Sequence, residues 1–194
     1  MERMIQFPNW KYFILMQNHD VIGKSVYEIS RIFEIFGGAN DVDIAKGNIV
    51  ERFRWDLESL DLFRDVRELR IVKGSVQGSL SREAVDWIVN QVNPMVFLAD
   101  GIKEWTKWSD ESECESGFVR HSVCVIGIEE FSNIARMPNI MFNKMMPSFD
   151  NSVIECTAEL LYNRTFLGQD DYPLEEEYYS NMINVRCLQP SEHQ

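Results

Sequence analysis

The sequence predicts an α/β domain. Two patterns carry the prediction. Short apolar runs of strand length alternate with stretches whose apolar residues recur at helical spacing. Polar caps open several of the helical stretches, and glycine or proline closes them. Strand alternating with helix points to a mostly parallel sheet covered by helices. No linker divides the 194 residues, and that length suits one domain.

The elements follow in order. Tyr12-Phe13-Ile14-Leu15-Met16 is a compact apolar run between polar neighbours and reads as a fully buried strand. Gln17-Asn18-His19-Asp20 is a polar turn. Val26, Ile29, Ile32, Phe33 and Phe36 then form one helical face, which Gly37-Gly38 stops. Between Asn48 and Arg70 charged and apolar residues mix without a clean period, as in a short helix or loops facing solvent. Leu69-Arg70-Ile71-Val72 is a strand candidate ahead of Gly74. Ser81 reads as an N-cap with Glu83 in the first turn, and Val85, Ile88, Val89 and Val92 form the face behind it. Phe118 to Ile128 is β-rich around Val123-Cys124-Val125-Ile126. Ile128, Phe131, Ile134 and Ala135 suggest a short helix. Ser152 and Glu155 match a capping box ahead of Val153, Ile154, Ala158 and Leu161. The stretch beyond Gln169 is acidic and tyrosine-rich.

Composition narrows the function classes. The length is enough to bury a core without disulfides or metals, and 45% hydrophobic with 26% charged residues is ordinary for a folded soluble domain. The net charge of −12 argues against a general binder of phosphate backbones. There is no run of 18 apolar residues and no basic segment leading into an apolar one, so neither a membrane span nor a signal peptide is visible. No repeat, heptad or low-complexity tract occurs. The first strand begins only eleven residues into the chain. Either a short leader precedes it or an upstream portion of a larger domain is missing, and composition leaves both open.

Four stretches, in this order, resemble the core-2/I-branching β-1,6-N-acetylglucosaminyltransferases in their nematode form. They are Trp10-Lys11-Tyr12 running into Gln17-Asn18-His19-Asp20; Gly74-Ser75 with Leu80-Ser81-Arg82-Glu83; Cys114 through Val119-Arg120-His121-Ser122-Val123-Cys124; and Phe142-Asn143-Lys144. The resemblance implies an incomplete GT-A-variant, Rossmann-like fold, with residues 1–194 as the C-terminal part of a single glycosyltransferase domain. It implies metal-independent, inverting transfer of N-acetylglucosamine from UDP-GlcNAc to a glycan acceptor containing galactose or N-acetylgalactosamine. It further implies a Golgi type II membrane protein whose anchor lies upstream, with no nucleic-acid partner and no cofactor.

Such a transfer makes three demands: charge stabilisation at the departing diphosphate, a base for the acceptor hydroxyl, and a surface that positions the acceptor. Asp41-Val42-Asp43 fits the Asp-X-Asp metal pattern literally. It follows a helix stop among Gly, Ala and Asn, and reads as a solvated turn. Arg120 and Lys144, taken alone, read as surface cations. The resemblance assigns them to the diphosphate, where guanidinium and ammonium replace a metal. His121 is an extra residue beside Arg120 relative to the mammalian pattern. Asp20 matches a family aspartate at the end of the first strand and by resemblance lines the donor site, whereas His19 reads as a structural or surface histidine. Trp108, in Lys107-Trp108, reads as a core residue alone and as an acceptor platform by resemblance.

The base stays unassigned. Only 27 positions separate Trp87 from Cys114 (114 − 87 = 27), and the segment that carries the family's glutamate is absent from them. Ser109-Asp110-Glu111 lies on the wrong side of the tryptophans and reads as a solvated acidic loop. Three readings therefore stand: a transferase, an inactive relative that binds glycan or nucleotide, and an unrelated acidic cytosolic α/β protein. The ordered motifs oppose the third.

The four cysteines could be reduced core thiols or two disulfides. The resemblance implies a local Cys114–Cys124 disulfide, gives Cys156 a partner upstream of Met1, and leaves Cys187 unassigned. Asn163-Arg164-Thr165 is an N-glycosylation sequon. An acidic chain that binds a diphosphate must focus its few cations in one place, so Arg120 and Lys144 carry the test.

Overall fold

A computed structural model describes residues 1–43, 45–46, 72–74, 77–91, 104–106, 114–169 and 171–188. Its elements, in chain order, begin with α1 (Glu2–Ile5), β1 (Tyr12–Leu15), β2 (Val21–Ile22), α2 (Val26–Phe36), β3 (Asp41–Val42), β4 (Ala45–Lys46), β5 (Val72–Lys73), β6 (Gly78–Ser81) and α3 (Arg82–Asn90). They continue with β7 (Glu104–Thr106), β8 (Val119–Arg120), β9 (Val123–Cys124), a 3₁₀ turn (Ile128–Glu130), α4 (Phe131–Ile134), β10 (Met141–Asn143), α5 (Ser152–Phe166), α6 (Glu176–Ser180) and α7 (Ile183–Leu188). The chain divides into two compact units, Met1–Leu15 with Gly38–Ile102, and Met16–Gly37 with Lys103–Gln194.

The first unit holds a three-stranded sheet in the order β1-β6-β3, antiparallel throughout. β6 is the middle strand and is buried along its length. Tyr12 faces Ser81 and Asp41 faces Ser79. Ser81 ends the strand and starts the next helix. Its extended backbone (φ −63°, ψ 158°) lets its hydroxyl accept from the Ala84 N–H, as the sequence predicts. Val85 is fully buried behind that cap. Arg82 then secures the N-terminal segment. Its guanidinium donates to the Phe7 and Ile5 carbonyls and lies 4.8 Å from the Trp10 ring centroid. The Tyr12 hydroxyl accepts from Gly38 N–H and donates to the Ala39 carbonyl, and burial pushes its pKa up. β4 and β5 form a separate antiparallel pair.

The second unit holds a sheet in the order β2-β10-β7. β10 runs antiparallel to β2 and parallel to β7. Phe142 in β10 is fully buried and packs with Ile126, Ile134, Met145 and Val153. Gly23 lies against that ring. A Cβ there would approach Phe142 Cδ2 to 2.7 Å, inside van der Waals contact. α2 has a complete capping box, with Ser25 accepting from Glu28 N–H and the Glu28 carboxylate accepting from Ser25 N–H. Gly37 ends it in the left-handed conformation (φ 56°), where a side chain would be strained. Arg31 of α2 forks onto Glu176 of α6 with two 2.7 Å bonds. Tyr179 of α6 is buried, donates to the Pro138 carbonyl, and has its pKa raised first by desolvation.

Several expectations need correction. The sheet is not mostly parallel: among the described residues β10–β7 is the one parallel pair. β1 is half-buried, not fully buried, because it is an edge strand of its sheet and Met16 is exposed. Asp41 is not a solvated turn residue. It is buried at 5% exposure on β3, held there by pairing with β6. The Ser152–Glu155 capping box does not form. Asp150 accepts from Ser152 N–H and from Ile128 N–H instead. Along α5 the buried face is Val153, Thr157 and Leu160, not Ala158 and Leu161. Thr157 tolerates that position because its hydroxyl donates to the Val153 carbonyl. Of the expected Val123–Ile126 strand only Val123–Cys124 pairs. The readings for 48–71, Val92 and Ser109-Asp110-Glu111 lie outside the described residues.

Candidate functional site

The candidate site is built where β2, β10 and the β8–β9 hairpin converge within the second unit. The Gln17–Asp20 turn closes on itself as Asp20 N–H donates to the Gln17 carbonyl (3.3 Å) and Gln17 N–H donates to the Asp20 carboxylate. Two bonds then join the turn to the end of β10. Asn143 Nδ2 donates to Asp20 Oδ1 (2.7 Å), and Met145 N–H donates to the His19 carbonyl (3.0 Å). Asn143 is 4% exposed, so its amide is committed to this contact and away from water. The Asn143–Lys144 peptide is cis.

The hairpin attaches to the same segment. Val119 faces Cys124 and Arg120 faces Val123, leaving a two-residue turn, His121-Ser122, in which both residues have positive φ (54° and 62°). That is the twist of a type I′ turn, usually the province of Asn and Gly. The extra His121 thus finds its place as half of a tight turn. A disulfide between Cys114 and Cys124 closes the base of the hairpin, in the pairing the resemblance implies. The Ser116 hydroxyl donates to the Val125 carbonyl inside the loop (2.5 Å). Ile126 N–H donates to the Lys144 carbonyl (2.9 Å).

These attachments bring Arg120 and Lys144 together. Lys144 Nζ donates to the Arg120 carbonyl oxygen (3.4 Å), and Arg120 Nη1 lies 3.5 Å from the Met146 sulfur. A thioether is a weak acceptor and leaves most of the guanidinium donors for other partners. No carboxylate forms an ion pair with either cation among the described residues. Arg31 and Arg164 differ: Arg31 is neutralised by Glu34 and Glu176, and Arg164 lies near Glu28 and Asp171. Two adjacent cations with donors to spare suit a diphosphate, which offers several anionic oxygens and little geometric demand.

Of the residues singled out in the sequence, Asp20, Arg120 and Lys144 fall on this corner. Asn143 and Met146 join it; the first was present in the Phe142-Asn143-Lys144 stretch without a role of its own. His19 contributes its carbonyl. Trp108 lies outside the described residues, and the neighbouring Trp105 is described only as backbone on β7, opposite Phe142. Cys156 and Cys187 are free thiols. Asn163 is on the last turn of α5. Among the described residues no three His, Cys, Asp or Glu side chains are placed to share a metal ion. No helix among them is long and apolar enough to cross a membrane.

The model of the family described as Core-2/I-Branching enzyme matches residues 1–99. The chain belongs to that family, whose members are glycosyltransferases of the N-acetylglucosaminyltransferase kind. Compared one by one with curated proteins, it matches none. The matched span includes Asp20, Asp41 and the Ser81 cap. Arg120, Lys144 and the disulfide lie beyond it.

Proposed function

We propose that the chain binds a nucleotide-sugar donor, UDP-GlcNAc, through Arg120 and Lys144 and transfers its sugar to a Gal- or GalNAc-containing glycan in a β-1,6 branch. The observation that carries this reading is the meeting of Arg120 and Lys144 on one corner with no carboxylate paired to either among the described residues. As the bond from the anomeric carbon to the diphosphate oxygen breaks, negative charge grows on UDP, and the two cations stabilise it in place of a metal. The acceptor oxygen attacks from the opposite face, which inverts the anomeric carbon. Trp108 is assigned to hold the apolar face of the acceptor sugar. Asp20 lines the donor side, with its carboxylate oriented by Asn143. The same reading places the full-length protein in the Golgi lumen on an upstream anchor.

The short separation of Trp87 and Cys114 favours a second reading, an inactive relative that binds donor or glycan without turnover. No Asp-Glu motif stands between Trp87 and Trp105 to supply the family's glutamate. Radiolabelled transfer from UDP-GlcNAc to a Gal-GalNAc acceptor separates the two. Transfer establishes the enzyme. UDP binding without transfer establishes the inactive relative, and a folded chain with neither overturns both.

A further inference from the structure

The sequon and three exposed apolar residues fall together on the last turn of α5 and its C-cap, Leu167. With about 100° of rotation per residue, taking Tyr162 as zero, Phe166 lies near 40°, Asn163 near 100° and Leu167 near 140°. The buried residues Val153, Thr157 and Leu160, with the inward-packed Arg164, cluster at about 160–220° on the same wheel. Tyr162, Phe166 and Leu167 are 56%, 69% and 68% exposed, and the two rings lie 4.9 Å apart. Three large apolar side chains on one short stretch of surface need a cover. Asn163 stands among them as the acceptor residue of Asn163-Arg164-Thr165.

We infer that Asn163 is a glycosylation site and that the first N-acetylglucosamine of its glycan rests on the Tyr162, Phe166 and Leu167 surface. A sugar ring carries an apolar C–H face that suits an aromatic ring, and its hydroxyls point to water. Asn163 Nδ2 forms the new bond to the anomeric carbon of a lipid-pyrophosphate-linked oligosaccharide. The pyrophosphate lipid leaves and takes the proton released from the amide. Transfer occurs while the chain is extended, so the helix does not obstruct it. The inference is independent of the donor site.

The test secretes the chain from a eukaryotic host behind an added leader. Complete enzymatic removal of N-glycans should lower the mass at Asn163, and Asn163→Gln should abolish that change. Binding of the dye ANS should rise after complete removal but not after trimming to a single sugar. In Tyr162→Ser/Phe166→Ser the dye signal should no longer depend on the glycan. Circular dichroism checks that each form stays folded. An unmodified Asn163 in secreted, folded protein would overturn the inference. So would a dye signal unchanged by complete removal, or one that rises equally on trimming to one sugar.

Discussion

Asn143 donates its side-chain amide to Asp20 over 2.7 Å, although 123 positions of sequence separate them. The amide is buried and the carboxylate is half-buried, so deleting the donor removes one of the hydrogen bonds that hold the Asp20 carboxylate in place. Asn143→Ala should cost about 1–3 kcal/mol in urea unfolding. Asn143→Asp should be worse at neutral pH, since it sets two carboxylates together. It should recover as pH falls through the carboxylate range and one of them takes up a proton. A pH-independent loss would mean that the contact is only steric.

Arg120 should carry UDP affinity. Arg120→Ala should weaken binding, measured by calorimetry, by about 1.5–3 kcal/mol, the worth of a hydrogen bond to a charged group. Arg120→Lys should recover only part, because ammonium lacks the planar fork. The partner contact from Lys144 goes to the Arg120 main chain and survives both substitutions. Unchanged affinity in Arg120→Ala removes it from the site.

Gly23 should be intolerant of a methyl group. Its Cβ would press on the buried Phe142 ring, and overpacking of that kind costs about 1–3 kcal/mol. Phe142→Leu makes room, so Gly23→Ala should destabilise less in that background than in the wild type. The double-mutant cycle in thermal unfolding reads the coupling.

The hairpin turn should be improvable. His121 and Ser122 both hold left-handed backbone, which disfavours side chains by about 1–2 kcal/mol each. Replacing the pair with Asn-Gly should raise stability by about 1 kcal/mol, read in urea, because those residues suit a type I′ turn. UDP affinity should stay as it was, since Arg120 precedes the turn and keeps its pairing with Val123.

Asp150 should make stability pH-dependent. Its carboxylate accepts from the Ile128 and Ser152 N–H groups, and these bonds hold its pKa below the usual carboxylate range. A depressed pKa stabilises the fold fully above the unfolded value and loses that effect as pH falls through the folded one. Asp150→Ala should therefore cost about 1 kcal/mol at neutral pH, as helix-cap losses do. The gap between variant and wild type should close below about pH 4, in the acid range where the free carboxyl titrates.

Local signals were legible in the sequence and long-range ones were not. The span of α2 follows from apolar spacing and the Gly37 stop, and the Ser81 cap follows from one residue and its first turn. The Ser-x-x-Glu spacing was less dependable. Ser25 and Glu28 form the box without having been singled out. Ser152 and Glu155 have the same spacing, yet Asp150, two residues upstream, supplies the acceptor instead. Strand direction is set by partners far along the chain, as β1 pairs with β6 across the whole intervening segment. Nothing local in Tyr12–Leu15 announces that it runs antiparallel at an edge. At the site, Arg120 and Lys144 were reached through motifs. Asn143 lies inside one of them, but its tie to Asp20 is a tertiary contact that spacing cannot report.

Because Cys114 and Cys124 are joined, the backbone from one to the other is a closed ring, and Arg120 sits on it. A protease that cuts anywhere within that ring opens it without releasing a piece. The product would gain the mass of one water, migrate as a single chain, and part into two fragments only when a reductant is added. The stretch that presents the cation is thus protected against loss even where its hairpin protrudes into solvent.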